Sequence, residues 1–210
     1  MIGVYNYTVV ATLVSAFLAI VGIRGSIDGN AFAAVLCLML SGLLDTFDGL
    51  IASTKKDRTP YQKKYGIQLD SLCDIIAFGV LPCFVGVACG MESLWYLPIF
   101  AVYMIGAVSR LAHFNVIEGE RRNTTDERLK FYTGLPVTTS AIIFPVACLF
   151  KYLFGGTFQF FYAVIMTLTA VLFVTKIKIK KPTFKAILGI VFACVIVFIL
   201  HIVLRVCYGY

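Results

Sequence analysis

The sequence predicts an all-α, polytopic membrane helix bundle of about seven transmembrane helices (range six to eight), and three observations carry that prediction. Apolar residues make up 60% of the 210 residues and charged residues only 14%, with a mean hydropathy of +0.91. A soluble domain has roughly 25% charged and about 45–50% apolar residues. The apolar residues fall in runs long enough to cross a hydrocarbon core, which takes about 20 residues of helix. Most of the 18 basic residues lie in three short segments between those runs. Disorder, collagen-like fibres and most soluble folds are excluded. Residues 1–210 read as a single membrane-embedded domain, and the formal charge of +7 reads as a topology signal, with no nucleic-acid partner expected.

Taken in order, the expected spans are 7–23, 31–52, 68–90, 94–116, 135–154, 158–175 and 184–206. Residues Met1 to Tyr7 carry no side-chain charge. They lack the basic n-region of a signal peptide, so the first run is expected to remain as a span. Lys55, Lys56, Arg58, Lys63 and Lys64 separate the second and third runs. Arg121, Arg122, Arg128 and Lys130 separate the fourth and fifth, and Lys176, Lys178, Lys180, Lys181 and Lys185 precede the last. The opposite connections hold only Arg24, Lys151 and, near the C-terminus, Arg205. The positive-inside rule puts the basic segments and the N-terminus in the cytoplasm. Residues 177–181 alternate as a strand would, but a basic interfacial connector is the expected form. The seven cysteines form no Cys-x-x-Cys pair and mostly sit inside apolar runs, where they act as small apolar side chains. His113 and His201 have no second histidine at ligand spacing and are expected to serve packing.

The informative residues are acids within the apolar runs. Asp45 and Asp48 close the second run, and Asp70 and Asp74 open the third. An ionisable group at the centre of a bilayer helix costs about 2.5–3.5 kcal/mol on insertion scales, so such groups usually mark a cavity or site. Spacings of three and four put each pair on one helix face, and a short loop makes the two helices antiparallel. Four carboxylates in one cleft need neutralisation, by shared protons or by divalent cations. Hard oxygen ligands without histidine or cysteine select Mg²⁺, Mn²⁺ or Ca²⁺ over zinc. Two such ions would balance the four charges and form a site that clamps phosphoryl oxygens. The alternative is that the acids are helix fringes, Asp70 favouring a helix start through the dipole. Gly49, Ala52 and Gly66 flank the acids with small side chains, as ligand approach or helix packing would require.

The segment Asp45-Thr-Phe-Asp48-Gly49-Leu-Ile-Ala52-Ser53, a basic loop, and Gly66-Ile-Gln-Leu-Asp70-Ser-Leu-Cys-Asp74 resembles the signature of the CDP-alcohol phosphotransferases. That signature reads D-x-x-D-G-x-x-A-R, eight or nine residues, then G-x-x-x-D-x-x-x-D. All four Asp, both Gly and the Ala match. Ser53 stands where the signature has Arg, and the loop from Thr54 to Tyr65 is 12 residues long; Lys55, Lys56 and Arg58 are candidates for the missing cation. The resemblance implies a helical membrane bundle, a homodimer, and an active site facing the cytoplasm. It implies that Asp45, Asp48 and Asp70 hold two divalent metals, with Asp74 as a further ligand or the general base. It implies a cytidine-nucleotide pocket at Asp48, Gly49, Ala52, Ser53 and Gly66. Asn6-Tyr-Thr8 resembles the Asn and Thr before the family's first helix, which would add both to that pocket; read alone, they equally form a helix cap.

Ser109-Arg110-Leu111-Ala112-His113-Phe114-Asn115-Val116 and Phe131-Tyr-Thr-Gly134-Leu135-Pro136 resemble the membrane-embedded phosphatidylserine synthases of bacteria and archaea. His113 stands where their second Arg recurs. This implies a prokaryotic cell-membrane enzyme that uses CDP-diacylglycerol and L-serine. An amino-acid acceptor needs a cation for its carboxylate, a role suited to Arg110, with Asn115 orienting the same ligand and Lys130 attracting the lipid nucleotide. Pairing with the acids or snorkelling is the structural alternative for Arg110. The rival functions are a related transferase taking glycerol 3-phosphate or inositol phosphate, and a cation or proton transporter, which would favour inverted repeats and broken helices at mid-membrane.

Overall fold

A computed structural model describes residues 3–55, 57–124, 131–180 and 184–208. The N-terminus enters through a 3-10 turn, Tyr7–Val9, capped by Asn6. Then follow α1 (Val10–Ile27), α2 (Ala31–Thr54), α3 (Pro60–Asp74), a π-helical turn Ile75–Val80, α4 (Leu81–Ala88) and α5 (Leu97–Thr124). After β1 (Phe131–Thr133) come α6 (Ser140–Leu149), α7 (Lys151–Phe154), α8 (Phe158–Val174), β2 (Lys178–Lys180) and α9 (Phe184–Tyr208).

Among the described residues six helical runs are long and apolar enough to cross a membrane. The fifth, Val137–Val174, has 38 residues, far beyond what one crossing needs. It turns at Gly155, whose φ of 51° favours glycine. Phe144 then meets the Tyr162 ring at 5.2 Å and Phe154 meets Phe161 at 4.8 Å. The run is therefore two antiparallel passes, as expected for 135–154 and 158–175. At its open end the Gly134 and Leu135 N–H groups donate to the carbonyls of Ile177 and Leu172. Beyond them β1 pairs antiparallel with β2 in the register Phe131↔Lys180. Within the alternating stretch, Lys178–Lys180 thus forms a strand, not the expected connector, because the hairpin below it delivers a partner strand in register.

The third span begins at Pro60, well before the expected 68. Thr59 and Gln62 form a capping box and Pro60 opens the helix, so two polar turns precede the apolar stretch. Asp70 therefore lies well inside α3, and the helix-start alternative for it does not hold. Past Asp74, Pro82 has no N–H to offer the Phe78 carbonyl; the Tyr103 hydroxyl donates to it instead at 2.6 Å. In α6, the His201 Nε2 of α9 lies 2.9 Å from the Pro145 carbonyl, which agrees with a packing role for His201.

Helix α1 packs along α2, joined by reciprocal hydrogen bonds between the Ser15 and Ser41 hydroxyls and each other's carbonyl oxygens, the polar glue that lipid cannot replace. Small residues set the other close approaches. A Cβ on Gly42 of α2 would overlap the Ala141 Cβ of α6. Gly42→Ala is expected to lower thermal stability in detergent by about 1–3 kcal/mol through overpacking. Gly189→Ala, where an added Cβ meets nothing within 4 Å, is expected to leave stability unchanged or raise it. Equal melting temperatures for the two variants would contradict the α2–α6 approach.

The described parts of the basic segments gather at one end of the bundle. Tyr7 reaches Thr54 at 3.2 Å, beside the 55–59 loop. Ser71 and Gln68 meet Asn115, which directs the C-terminal end of α5, with Arg121, to the same end. The β1–β2 ribbon carrying Lys178 lies there too. At the opposite end Trp95 is 88% exposed, a side chain suited to the membrane–water interface. Arg205 of α9 stacks 4.6 Å over Phe32 at the start of α2, placing the end of α9 opposite the N-terminus.

Candidate active site

Helix α2 carries Asp45, Asp48 and Ala52 at spacings of three and four; α3 carries Gly66, Asp70 and Asp74 at spacings of four. The two helices present these faces to each other. Asp45 adjoins Asp74, and Asp48 adjoins Asp70. One carboxylate oxygen from each of Asp45, Asp70 and Asp74 lies within 4.8 Å of the others. Asp74 is 8% exposed, and Asp70 Oδ1 is buried and meets no donor among the described residues. One buried and two half-buried carboxylates, offering only hard oxygen ligands and leaving the Asp70 Oδ1 acceptor unsatisfied among the described residues, fit a cation. The π-helical turn begins at the residue after Asp74, at the floor of the cluster, where such turns often re-aim helix side chains.

Asp48 accepts a hydrogen bond from Thr12 of α1 at 3.2 Å. The sequence reading missed Thr12, although a buried threonine one turn after Thr8 in an apolar span was a usable signal. Asn6 Oδ1 accepts from the Thr8 N–H at 3.0 Å and from the Thr8 hydroxyl, which is the cap alternative for these two residues.

The flanking small residues differ. An added Cβ on Gly49 meets nothing within 4 Å, whereas one on Gly66 would lie 2.7 Å from Arg58 Nη2. Ser53 is exposed and donates to the Leu50 carbonyl at 2.7 Å. Arg58 donates from Nη1 to the Ala52 carbonyl and from Nη2 to the Gln62 carbonyl, both at 3.3 Å. Lys56 and Lys130 lie outside the described residues.

Arg110 and Asn115 have different neighbours. Five residues is about 140° of rotation on an α-helix. Arg110 Nε donates to the Leu135 carbonyl at 3.1 Å, in the Gly134-Leu135-Pro136 turn, and its guanidinium lies 5.8 Å from the Phe114 ring. Asn115 Oδ1 accepts from the Ser71 hydroxyl at 2.8 Å, beside Asp70. Asn115 thus joins α5 to the acid-bearing helix α3, and Arg110 ties α5 to the turn at the head of α6. Arg121 forms a two-point ion pair with Glu118, at 2.7 and 2.8 Å.

A family model described as CDP-alcohol phosphatidyltransferase matches residues 4–175. The chain belongs to that family. The chain is 29% identical to the archaetidylserine synthase of Methanothermobacter thermautotrophicus over 157 residues, 74% of this chain and 61% of the relative. It is 30% identical to the CDP-diacylglycerol–serine O-phosphatidyltransferase of Helicobacter pylori over 192 residues, 87% of this chain and 74% of the relative. The protein of that name from Saccharomyces cerevisiae is 29% identical over 112 residues, 52% of this chain and 39% of the relative. The chain thus spans about three-fifths of the archaeal relative's length. The six apolar helical runs among the described residues make the chain an integral membrane protein.

Proposed function

We propose that this chain transfers the phosphatidyl group of CDP-diacylglycerol to L-serine, giving phosphatidylserine and CMP, at a site open to the cytoplasm. The observation that carries the reading is the meeting of the acid helix α3 with α5 through the Ser71–Asn115 hydrogen bond. It joins the serine-synthase-like segment 109–116 to the helix that carries Asp70 and Asp74. The names of the relatives support serine as the acceptor.

In the proposed reaction the serine hydroxyl oxygen attacks the phosphorus that bears diacylglycerol. A new P–O bond forms, the bridging P–O bond to CMP breaks, and CMP leaves with the bonding pair. Asp74 takes the hydroxyl proton, because an alcohol is a weak nucleophile until a positioned base relieves it of that proton. Asp45, Asp48 and Asp70, with Asp74, would hold two divalent ions, Mg²⁺ or Mn²⁺. When bound, these ions offset charge gathering on the phosphate oxygens. Gly49 leaves the face below Asp45 open for the nucleotide. Asn115 orients the acceptor, and Arg110, through its hold on Leu135, keeps the 134–136 turn in place. Burial between membrane helices keeps water from competing with serine. The collection of basic segments at the site's end supports a cytoplasmic opening.

The test is CMP release from CDP-diacylglycerol by purified protein, with serine compared against glycerol 3-phosphate and inositol phosphate. Serine-dependent CMP and phosphatidylserine in equal amounts are expected. CMP release with another alcohol alone overturns the acceptor and leaves the reaction class standing. A donor carrying diether chains, run in parallel, tests whether the archaetidylserine relative is the better guide to the lipid.

A further inference from the structure

The signature's Arg is absent from α2, yet a guanidinium stands beside the place it would occupy. Arg58 leaves the loop just before the Thr59 cap and reaches back between the helices. There it donates to the carbonyl of Ala52 and to that of Gln62, and it covers the bare face of Gly66 with Nη2. Ala52 lies four residues beyond Asp48, and Gly66 lies four before Asp70. Both are one helical turn, about 6 Å, from the acid cluster, on the faces that carry it and toward the loop end. The cleft between α2 and α3 therefore runs from four carboxylates to one guanidinium. Ser53 is exposed and folded back on its own helix, and Lys55 is the C-cap residue of α2.

We propose that Arg58 is the anion-binding residue for the cytidine nucleotide, supplied from the α2–α3 loop in place of the cation missing at Ser53. The proposal rests on the reading of the chain as a CDP-lipid transferase. A nucleoside diphosphate spanning the cleft meets acids that suit cation-bridged phosphate at one end. At the other it meets a planar guanidinium suited to two-point phosphate contact. The longer loop supplies the reach that a helical position at 53 would not need. Gly66 is required in this arrangement, since a Cβ there would strike the guanidinium. The competing role for Arg58 is structural: a cation that caps the C-terminal carbonyls of α2.

The test measures CMP binding by equilibrium dialysis with Mg²⁺ present, on wild type, Arg58→Ala, Arg58→Lys and the double variant Ser53→Arg/Arg58→Ala, with melting temperatures alongside. A guanidinium–phosphate contact predicts a loss of CMP affinity of roughly tenfold or more in Arg58→Ala. It predicts a smaller loss in Arg58→Lys, and recovery to within about threefold of wild type in the double variant. The KM for CDP-diacylglycerol should follow the same order, with the KM for the acceptor unmoved. Unchanged CMP affinity in Arg58→Ala overturns the proposal. So does affinity that falls only in step with melting temperature and is not restored by Ser53→Arg, which is the capping outcome. If Arg58→Ala does not fold, Arg58→Lys and the double variant decide the matter by the same criteria. Wild-type protein that binds no CMP and releases none from CDP-diacylglycerol refutes the transferase reading itself, a result distinct from any difference among the variants.

Discussion

Asp74→Asn is expected to abolish CMP release, with turnover lowered about 10³-fold or more while the bundle stays folded. The amide keeps the size of the carboxyl but cannot take the proton of an attacking hydroxyl, and it is a poorer ligand for a divalent cation. Asp74 is nearly enclosed, at 8% exposure, and sits at the last turn of α3 against Asp45. Its burial serves no ion pair: the salt bridges among the described residues are Arg24–Asp28 and Arg121–Glu118. Removing one charge from a crowd of like charges relieves repulsion, so the melting temperature of Asp74→Asn in metal-free buffer should equal or exceed that of wild type. The combination of lost turnover and kept or gained stability marks a residue retained for chemistry at some cost to the fold. Asp28→Asn, which breaks only an exposed pair at the opposite end of the bundle, should leave turnover unchanged. Near-normal CMP release by Asp74→Asn would remove it as the base.

What was legible in the sequence follows from how strongly each feature breaks its surroundings. Four aspartates inside apolar runs announce themselves, because a buried charge in lipid has no cheap explanation, and helical spacing then fixes which face they share. The spans were legible for the same reason, down to the separate passes on either side of Gly155. The start of α3 was not, since hydropathy is blind to an amphipathic turn that a Thr59–Gln62 capping box can hold outside the core. The β1–β2 ribbon was not, because three residues of alternation become a strand only when the α6–α8 hairpin presents them with a partner. Spacing alone does not reveal that Asn115 meets Ser71 and Gln68 of α3 while Arg110 donates to the Leu135 carbonyl. The place of Arg58 is the hardest to foresee. A long flexible side chain in a loop has many reachable positions, and only the packed positions of Ala52 and Gly66 choose among them.

Stripping divalent cations with a chelator is expected to reduce transfer to background, and adding back Mg²⁺ or Mn²⁺ to restore it. The reason is electrostatic. Oxygen atoms of Asp45, Asp70 and Asp74 lie within 4.8 Å of one another, and two unit charges at that distance repel by roughly 3 kcal/mol at an effective dielectric constant near 20. Asp48 adds a further carboxyl beside Asp70. A nucleoside diphosphate brings more negative charge into the same cleft, so donor and acids can coexist only with cations between them. Raising monovalent salt to the same ionic strength should not substitute, because screening acts weakly on buried groups. The second readout is stability: a ligand that binds only the folded state raises the melting temperature with its concentration. That rise should occur for wild type with Mg²⁺ or Mn²⁺ in the absence of any nucleotide, and should vanish in the Asp45→Asn/Asp70→Asn double variant, whose cluster has lost two of its ligands. Full transfer by chelator-treated protein would break the link between the acids and the donor phosphates. A cation-dependent rise that survives in the double variant would move the ion to some other place in the molecule.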